Sequence, residues 1–335
     1  FMSKGKLATT IIMAIIFLAF AIFAIVYYFG ENYNEFYSNA TQEFEVSGLD
    51  EGFTPQGLTH ENETDTFLVS GYMNDGSASR IYVVDGETNQ TEKYFTLAYD
   101  NDGTLTDYVG HCGGIATDGN GVWVVGDKTV YFFKYETISV CENGNKIEVE
   151  SYFTAPNGAD FVTIYENKLL VGEFHRDNKY DTDETHSIET ASGNLNKAVS
   201  FMYEINNNNM YGLESLNPVL AISTPSLVQG MVITDESIIL STSYSLPSSN
   251  LYFYDNILNT TEHTQKTFTG IDNVVDTYIL DTPTKTIKAP CMSEEIAIKD
   301  NSLYVLFENA CNKYKYFTRD NLEYVFSLDL DKISL

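Results

Sequence analysis

Apolar positions along this chain fall into short runs separated by polar turns, and the runs recur in one phrase. The fullest copy covers 229–255, QGMVITDESIILSTSYSLPSSNLYFYD. It opens on Gln229, Gly230 and Met231; an apolar run begins at Ile238; a turn-rich gap covers 246–250; and a short run with tyrosines closes on Asp255. The same phrase starts at Gln56, Gly57, Leu58; at Gly113, Gly114, Ile115; at Asp160, Phe161, Val162; and at Glu294, Glu295, Ile296. From the apolar anchor to the next run the step is seven residues in four copies and nine in the first. Runs of this length, bounded by turn residues, predict strands. Outside 7–29 no helical period is sustained. The chain therefore reads as all-β with an internal repeat.

The anchors Leu58, Ile115, Val162, Met231 and Ile296 are 57, 47, 69 and 65 residues apart. A four-stranded propeller blade needs about 40–50 residues. The long steps thus carry insertions, one at 176–197 and one within 256–290. Fourth strands are expected at 93–97, at 147–153, at 219–223, and at either 276–280 or 286–288. The last repeat has none, because the sequence stops soon after its third strand. The alternating segment 42–48, QEFEVSG, would fill that place and close the ring, removing the exposed sheet edge. This spacing predicts a five-bladed β-propeller in preference to six blades. A flat β-sandwich would not produce five copies of one phrase.

Residues 7–29 form an uncharged stretch of 23 residues, preceded by Lys4 and Lys6 and followed by Glu31 and Glu35. Its length suits a bilayer-spanning helix. The flanking charges place the N-terminus in the cytoplasm and the bulk of the chain outside. A cleaved signal peptide would ordinarily have a shorter apolar region. The predicted organisation is an N-terminal signal anchor at 1–30, a polar stalk at 31–41 and a propeller ectodomain at 42–335.

The charge narrows the partners. Nineteen Lys and Arg face 47 Asp and Glu, a net charge of −28. Such a surface repels phosphate backbones, which argues against nucleic acid. It suits cations or basic partners, although an acidic solvated surface needs no partner at all. Four cysteines in an exported chain predict two disulfides, Cys112–Cys141 and Cys291–Cys311, each within one repeat. No CxxC spacing points to zinc. The sequons at Asn39, Asn62, Asn89 and Asn259 matter only where exported proteins are glycosylated.

First strands line the central channel of a propeller, so equivalent repeat positions build its mouth. Here these are Gln56, Gly113, Asp160, Gln229 and Glu294, with His111 just upstream of Gly113. The second strands end near Glu173, Ser243, Tyr244 and Glu308. Carboxylates and amides in a ring suit Ca²⁺, with Asp160 and Glu294 as ligands. Gln56, Gln229, Ser243 and Glu308 are candidates for holding a small ligand. The insertion carries Asp183 and His186; folded over the mouth, it would bring His186 beside Glu173 and His111 as acid–base groups. A water-filled channel with self-bonded polar residues is the plainer reading. The GxSxG, Walker, HExxH and dinucleotide-binding patterns are missing. Trp123 and the tyrosines Tyr82, Tyr131, Tyr203 and Tyr252 read as packing between blades.

The motifs TPQGL, SGYMNDGSASRIYVVD, GHCGGIA, VGEFH, KYDTDETH, VQGM, LSTSY, MSEEIAI and LYVLFENA resemble those of exported or membrane-anchored bacterial β-propeller-like proteins. That resemblance covers roughly 52–330 and implies a fold and a location but no mechanism. A looser similarity is to lactonase and gluconolactonase propellers. It implies a central Ca²⁺ held by Glu, Asn and Asp, with Glu294 at the position of a ligand and Gln56 and Gln229 where Asn would stand. The expected function is a cell-surface, membrane-anchored module that binds a small ligand or a protein. The alternatives are a Ca²⁺-dependent lactonase or esterase and a structural subunit of a membrane or surface assembly.

Overall fold

The structure, a computed structural model, describes residues 4–25 and 30–333. Each phrase folds into one antiparallel sheet. Blade I comprises Phe53–Glu61, Thr66–Met73, Arg80–Asp85 and Gln90–Asn101. Blade II comprises Gly114–Thr117, Gly121–Gly126, Thr129–Lys134 and Ser151–Thr154. Blade III comprises Phe161–Tyr165, Lys168–Gly172, Ala198–Glu204 and Leu220–Thr224. Blade IV comprises Val228–Ile233, Ser237–Thr242, Ser249–Asp255 and Lys285–Ala289. Blade V comprises Ser293–Lys299, Ser302–Phe307 and Tyr324–Asp329, with Ala40–Glu45 from the other end of the chain as its fourth strand. The first strands neighbour one another in the order I, II, III, IV, V and back to I, a closed five-bladed ring.

The reason for apolar runs without alternation lies between the blades. Both faces of each sheet are covered, so both parities of a strand are buried. In blade II, Val122 and Val124 pack toward blade I while Trp123 and Val125 pack toward blade III. Five apolar clusters result, one at each blade–blade interface. Trp123 is fully buried and donates from Nε1 to the Tyr211 carbonyl at 2.8 Å.

Two expected strands sit differently. Residues 147–153 do not form one strand: Lys146–Glu148 joins blade I in parallel to Gln90–Asn101, and only Ser151–Thr154 closes blade II. Of the two choices for blade IV, Lys285–Ala289 is its fourth strand, whereas Val275–Ile279 extends blade III. The insertion at 176–197 is ordered. It carries a 3-10 turn at Glu184–His186 and a small hairpin of Ile188–Glu189 with Leu195–Asn196.

The segment expected as a polar stalk is packed against the propeller. It forms the helix Asn34–Asn39. Phe36 is fully buried, edge-on to Phe307 at 5.7 Å, and Tyr33 bonds Ser248 at 3.0 Å. Tyr33 and Phe36, three residues apart, share one face of the turn, which a count of polar residues does not reveal.

No disulfide joins the four cysteines. Cys112 precedes the first strand of blade II at its mouth end, while Cys141 follows the third strand at the opposite end, so the blade's height separates them. Cys291 and Cys311 are buried on the mouth side of blade V without a bond between them. Among the described residues no helix is long and apolar enough to cross a membrane. The N-terminal helix Lys4–Ile25 exposes Ile12, Phe17 and Phe20. Part of the expected anchor, 26–29, lies outside the described residues.

Candidate functional site

The axis of the ring is closed by one side chain. Glu295, buried on the first strand of blade V, reaches across to three other blades. Its Oε2 accepts from Leu58 N at 2.8 Å and Ile115 N at 3.0 Å, and its Oε1 accepts from Val162 N at 3.0 Å. Burial pushes this carboxyl well above the ordinary range and the three amides pull against that shift. The backbones come close enough because three repeats carry glycine here, Gly57, Gly114 and Gly230. A Cβ on Gly114 would lie 2.7 Å from Glu295 Oε1, and one on Gly230 would lie 2.7 Å from Glu295 Cα.

Glu295 separates two cavities. The lower one, about 630 Å³, is lined by the apolar anchors Leu58, Ile115, Val162 and Ile296, with Val232 in place of Met231. Met231 instead packs between blades III and IV. The upper one, about 1060 Å³, is the channel mouth. All nine residues singled out from the sequence as catalytic, ligand-binding or metal-ligating line this upper cavity: Gln56, His111, Asp160, Glu173, His186, Gln229, Ser243, Glu294 and Glu308.

Backbone irregularity aims several of them. The first strands of blades I, IV and V each carry a β-bulge at their mouth end, at Gln56, Gln229 and Glu294–Glu295. A bulge breaks the alternation of the pleat and redirects a side chain. Four first strands are also entered through a left-handed residue that is not glycine: Cys112 (φ 53°), Ala159 (φ 50°), Leu227 (φ 71°) and Met292 (φ 63°). Each such residue costs on the order of 1–3 kcal/mol, and strain of this kind concentrates where a site must be held.

The mouth has two corners. At blades I, IV and V, Gln56 Nε2 donates to Glu308 Oε2 at 2.9 Å and Gln229 Nε2 approaches Glu294 Oε1 at 3.4 Å. Glu294 and Glu308 are hydrogen-bonded to each other, Glu294 buried and Glu308 partly so. Burial pushes Glu308 up to about 7, and burial with the Glu308 charge pushes Glu294 well above its ordinary value. The pair therefore shares a proton near neutrality. Lys313 donates to the Tyr72 hydroxyl at 2.6 Å and lies over the Tyr72 and Tyr314 rings.

At blade III, Glu173 Oε1 accepts from His186 Nδ1 at 2.6 Å and from Val199 N at 3.0 Å, and its Oε2 accepts from Gly158 N at 3.2 Å. His186 is buried edge-on to Phe201 and Phe268. Asp160 accepts from Phe174 N at 2.7 Å, and burial pushes its carboxyl up to about 6. Asn157 donates from Nδ2 to the Val171 and Val199 carbonyls, both at 2.9 Å. Three buried atoms of the lining have no hydrogen-bond partner: Asn157 Oδ1, His186 Nε2 and Ser243 Oγ.

Other expected groupings do not form. His111 stacks on Tyr72 at 5.1 Å at the exposed rim, where desolvation by its neighbours lowers its pKa. No hydrogen bond joins it to the Glu173–His186 pair. Asp183 lines the mouth but is committed as a cap, accepting from Thr185 N and Oγ1. Among the described residues no group of three or more His, Cys, Asp or Glu is gathered as a metal would require. Asp160 and Glu294 keep separate partners, and the Gln56 and Gln229 amides turn NH₂ groups toward the carboxyls. As arranged, this donor set does not fit Ca²⁺, which requires converging oxygens.

Glu295, Asn157, Lys313 and Tyr72 were not singled out from the sequence. The doubled Glu294–Glu295, with Glu295 at a repeat position where three other blades carry glycine, is the one signal that pointed to Glu295.

No protein-family model matches the sequence and no curated protein matches it, so neither comparison supports the resemblance to exported bacterial propellers or to lactonases. Solved structures do match. The hydrazine synthase of Kuenenia stuttgartiensis aligns at TM-score 0.37 and 11% identity, over 81% of this chain and 85% of that one. The WD40 β-propeller domain of Doa1 aligns at TM-score 0.36 and 6% identity, over 82% of this chain and 68% of that one. At such scores the likeness says nothing about the site, and the five-bladed ring rests on this chain's own strand pairing.

Proposed function

We propose that this chain is a membrane-tethered binding module whose mouth cavity takes a small, donor-rich cation, an organic ammonium or guanidinium compound. The observation that carries the ligand class is the pair of unpartnered buried acceptors. The Asn157 amide spends both N–H donors on backbone carbonyls, so its Oδ1 can only accept. His186 donates its Nδ1–H to Glu173, so in the neutral ring Nε2 also accepts. Buried polar atoms are ordinarily paired, and these two call for a donor. Around them stand the carboxyls of Asp160, Glu173, Glu294 and Glu308, a combination suited to a cation. Tethering is supported by the uncharged stretch at 7–29 and the exposed apolar side chains of the N-terminal helix. The basic residues before that stretch favour an extracytoplasmic position for the propeller.

Binding a cation favours the ionised carboxyls, so the ligand should displace protons near pH 6. Titration calorimetry of the full chain with spermidine, methylguanidine and a neutral polyol, in two buffers of different ionisation enthalpy, tests this. Saturable binding of the cations with proton release is expected, weakened about tenfold or more by Asp160→Asn. Equal binding of the polyol, or no binding of either cation, would refute the reading and leave ordered water as the partner of those acceptors. A hydrolytic reading would rest on Glu173 and His186. It is less favoured because no serine, threonine or cysteine hydrogen-bonds His186 Nε2.

A further inference from the structure

The loop joining the second and third strands of blade V differs from the rest of this acidic chain. Residues 312–319 read NKYKYFTR, with three basic residues and no acid, in a protein of net charge −28. The loop lies on the mouth side, because Phe307 pairs with Ser293 at that end of the blade. Tyr316 is 79% exposed and Phe317 65% exposed.

Their exposure is built in. The loop is held by Asn309, which donates to the Cys291 carbonyl at 2.9 Å and accepts from Leu322 N at 2.8 Å. Thr318 is buried and donates to the Asn309 carbonyl at 2.9 Å. Backbone bonds run from Tyr314 N to the Cys311 carbonyl and from Phe317 N to the Tyr314 carbonyl. Acids nearby are Asp50, 3.4 Å from Lys315, and Asp320, 2.9 Å from Arg319. They leave the patch close to balance, where most of the surface is acidic.

The same loop grips the chain just after the N-terminal helix. Arg319 donates to the Glu31 carbonyl at 3.0 Å, and its guanidinium lies 4.6 Å from the Tyr33 ring centre. Only 26–30 separate Ile25, the last residue of the helix, from Glu31. A span of that length reaches at most ~20 Å even when fully extended. The loop cannot lie far from the end of the helix, whatever path the intervening residues take.

We infer that the loop 312–319 is a bilayer-docking surface: Tyr316 and Phe317 enter the boundary between lipid headgroups and acyl chains, and Lys315 beside them meets the phosphates. Aromatic rings flanked by basic residues favour that boundary. The inference rests on the tethering half of the proposed function. Docking at this rim turns the blade V side of the mouth face toward the membrane.

The native chain offers a quiet background for the test, since its single tryptophan, Trp123, is fully buried. The full chain is reconstituted into phosphatidylcholine–phosphatidylglycerol vesicles as wild type, Phe317→Trp and Val140→Trp. Val140 is 81% exposed at the opposite end of blade II. Emission is recorded with and without lipids brominated near the headgroup, and vesicle flotation is run in parallel. The expected result is flotation of all three, with quenching of Phe317→Trp several-fold greater than in the other two. Flotation with no extra quenching at position 317, or with equal quenching at 140, overturns the docking surface alone. Failure to float overturns the tether and the docking surface together.

Discussion

At the scale of single residues, the most consequential side chain is Glu295. Its two oxygens serve three backbone N–H groups from blades I, II and III, so one carboxylate on blade V fixes the spacing of the whole inner ring. Hydrogen bonds to a charged group contribute about 1.5–3 kcal/mol each, and a buried amide left without an acceptor costs a comparable amount. Glu295→Gln keeps one acceptor but turns an NH₂ group toward donors that are already there. This substitution should lower stability on the order of 3–5 kcal/mol in equilibrium denaturation, while Glu294→Gln costs less because its partner Glu308 is itself a protonatable carboxyl. Equal effects at the two positions would refute the central role of Glu295. The sequence showed both glutamates as one motif. Which of them turns to the axis is decided by the bulge at that point in the strand, a shift of one residue that no residue count detects. The unpartnered acceptors are hidden for a similar reason. Nothing about Asn157 in sequence distinguishes it from the chain's many other asparagines until its donors are seen to be spent.

At the scale of elements, strands with repeating spacing were legible and their partners beyond the repeat were not. First, second and third strands sit where the phrase puts them, since each must bury both faces against its neighbours. The pieces that follow third strands are less constrained: Lys146–Glu148 crosses to blade I and Val275–Ile279 extends blade III, both in parallel pairings that leave no local turn signal. The N-terminal segment is the sharpest case. Its composition is that of a loose stalk, yet Tyr33 and Phe36 seal the interface of blades IV and V beside the closing strand. Ion pairs of Glu31 with Lys288 at 2.9 Å and Glu35 with Lys285 at 3.0 Å hold its outer side, and exposed pairs of this sort contribute little. Phe36 must therefore supply most of the docking. Phe36→Ala should cost about 3–5 kcal/mol, as for a fully enclosed ring. Tyr37→Ala, next to it and 42% exposed, serves as the comparison and should change stability far less. If denaturation curves of the two variants overlay, the segment is only resting on the propeller.

At the scale of the whole molecule, charge and burial act together on pH dependence. A net charge of −28 at neutrality makes the folded state repel itself, and lowering the pH relieves that. The mouth adds a local term of the same sign. Burial raises Asp160 from 3.8 to about 6 and Glu308 from 4.5 to about 7, so the folded protein keeps protons that the unfolded chain has already released. Stability is thus greater at low pH and declines as the pH rises from about 4 toward 7. His111 opposes this: its lowered pKa keeps the folded ring neutral, a contribution present above 6.5 and lost as the pH falls through that window. Carboxyls held low by hydrogen bonds, such as Asp183, matter only below about 4. The local and global terms separate by salt, which screens exposed charges and leaves an enclosed carboxyl nearly untouched. Melting temperatures measured from pH 4.5 to 8 should fall with pH for the wild type. In Asp160→Asn that fall should be smaller by the equivalent of about 2 kcal/mol, the part of a two-unit shift at roughly 1.4 kcal/mol per unit that is lost above pH 4.5. The difference between the two curves should survive 0.5 M salt while both become shallower. Parallel curves at low salt would mean that Asp160 is ionised throughout, and the mouth would then be a solvated channel and not a site prepared to exchange a proton for a cation.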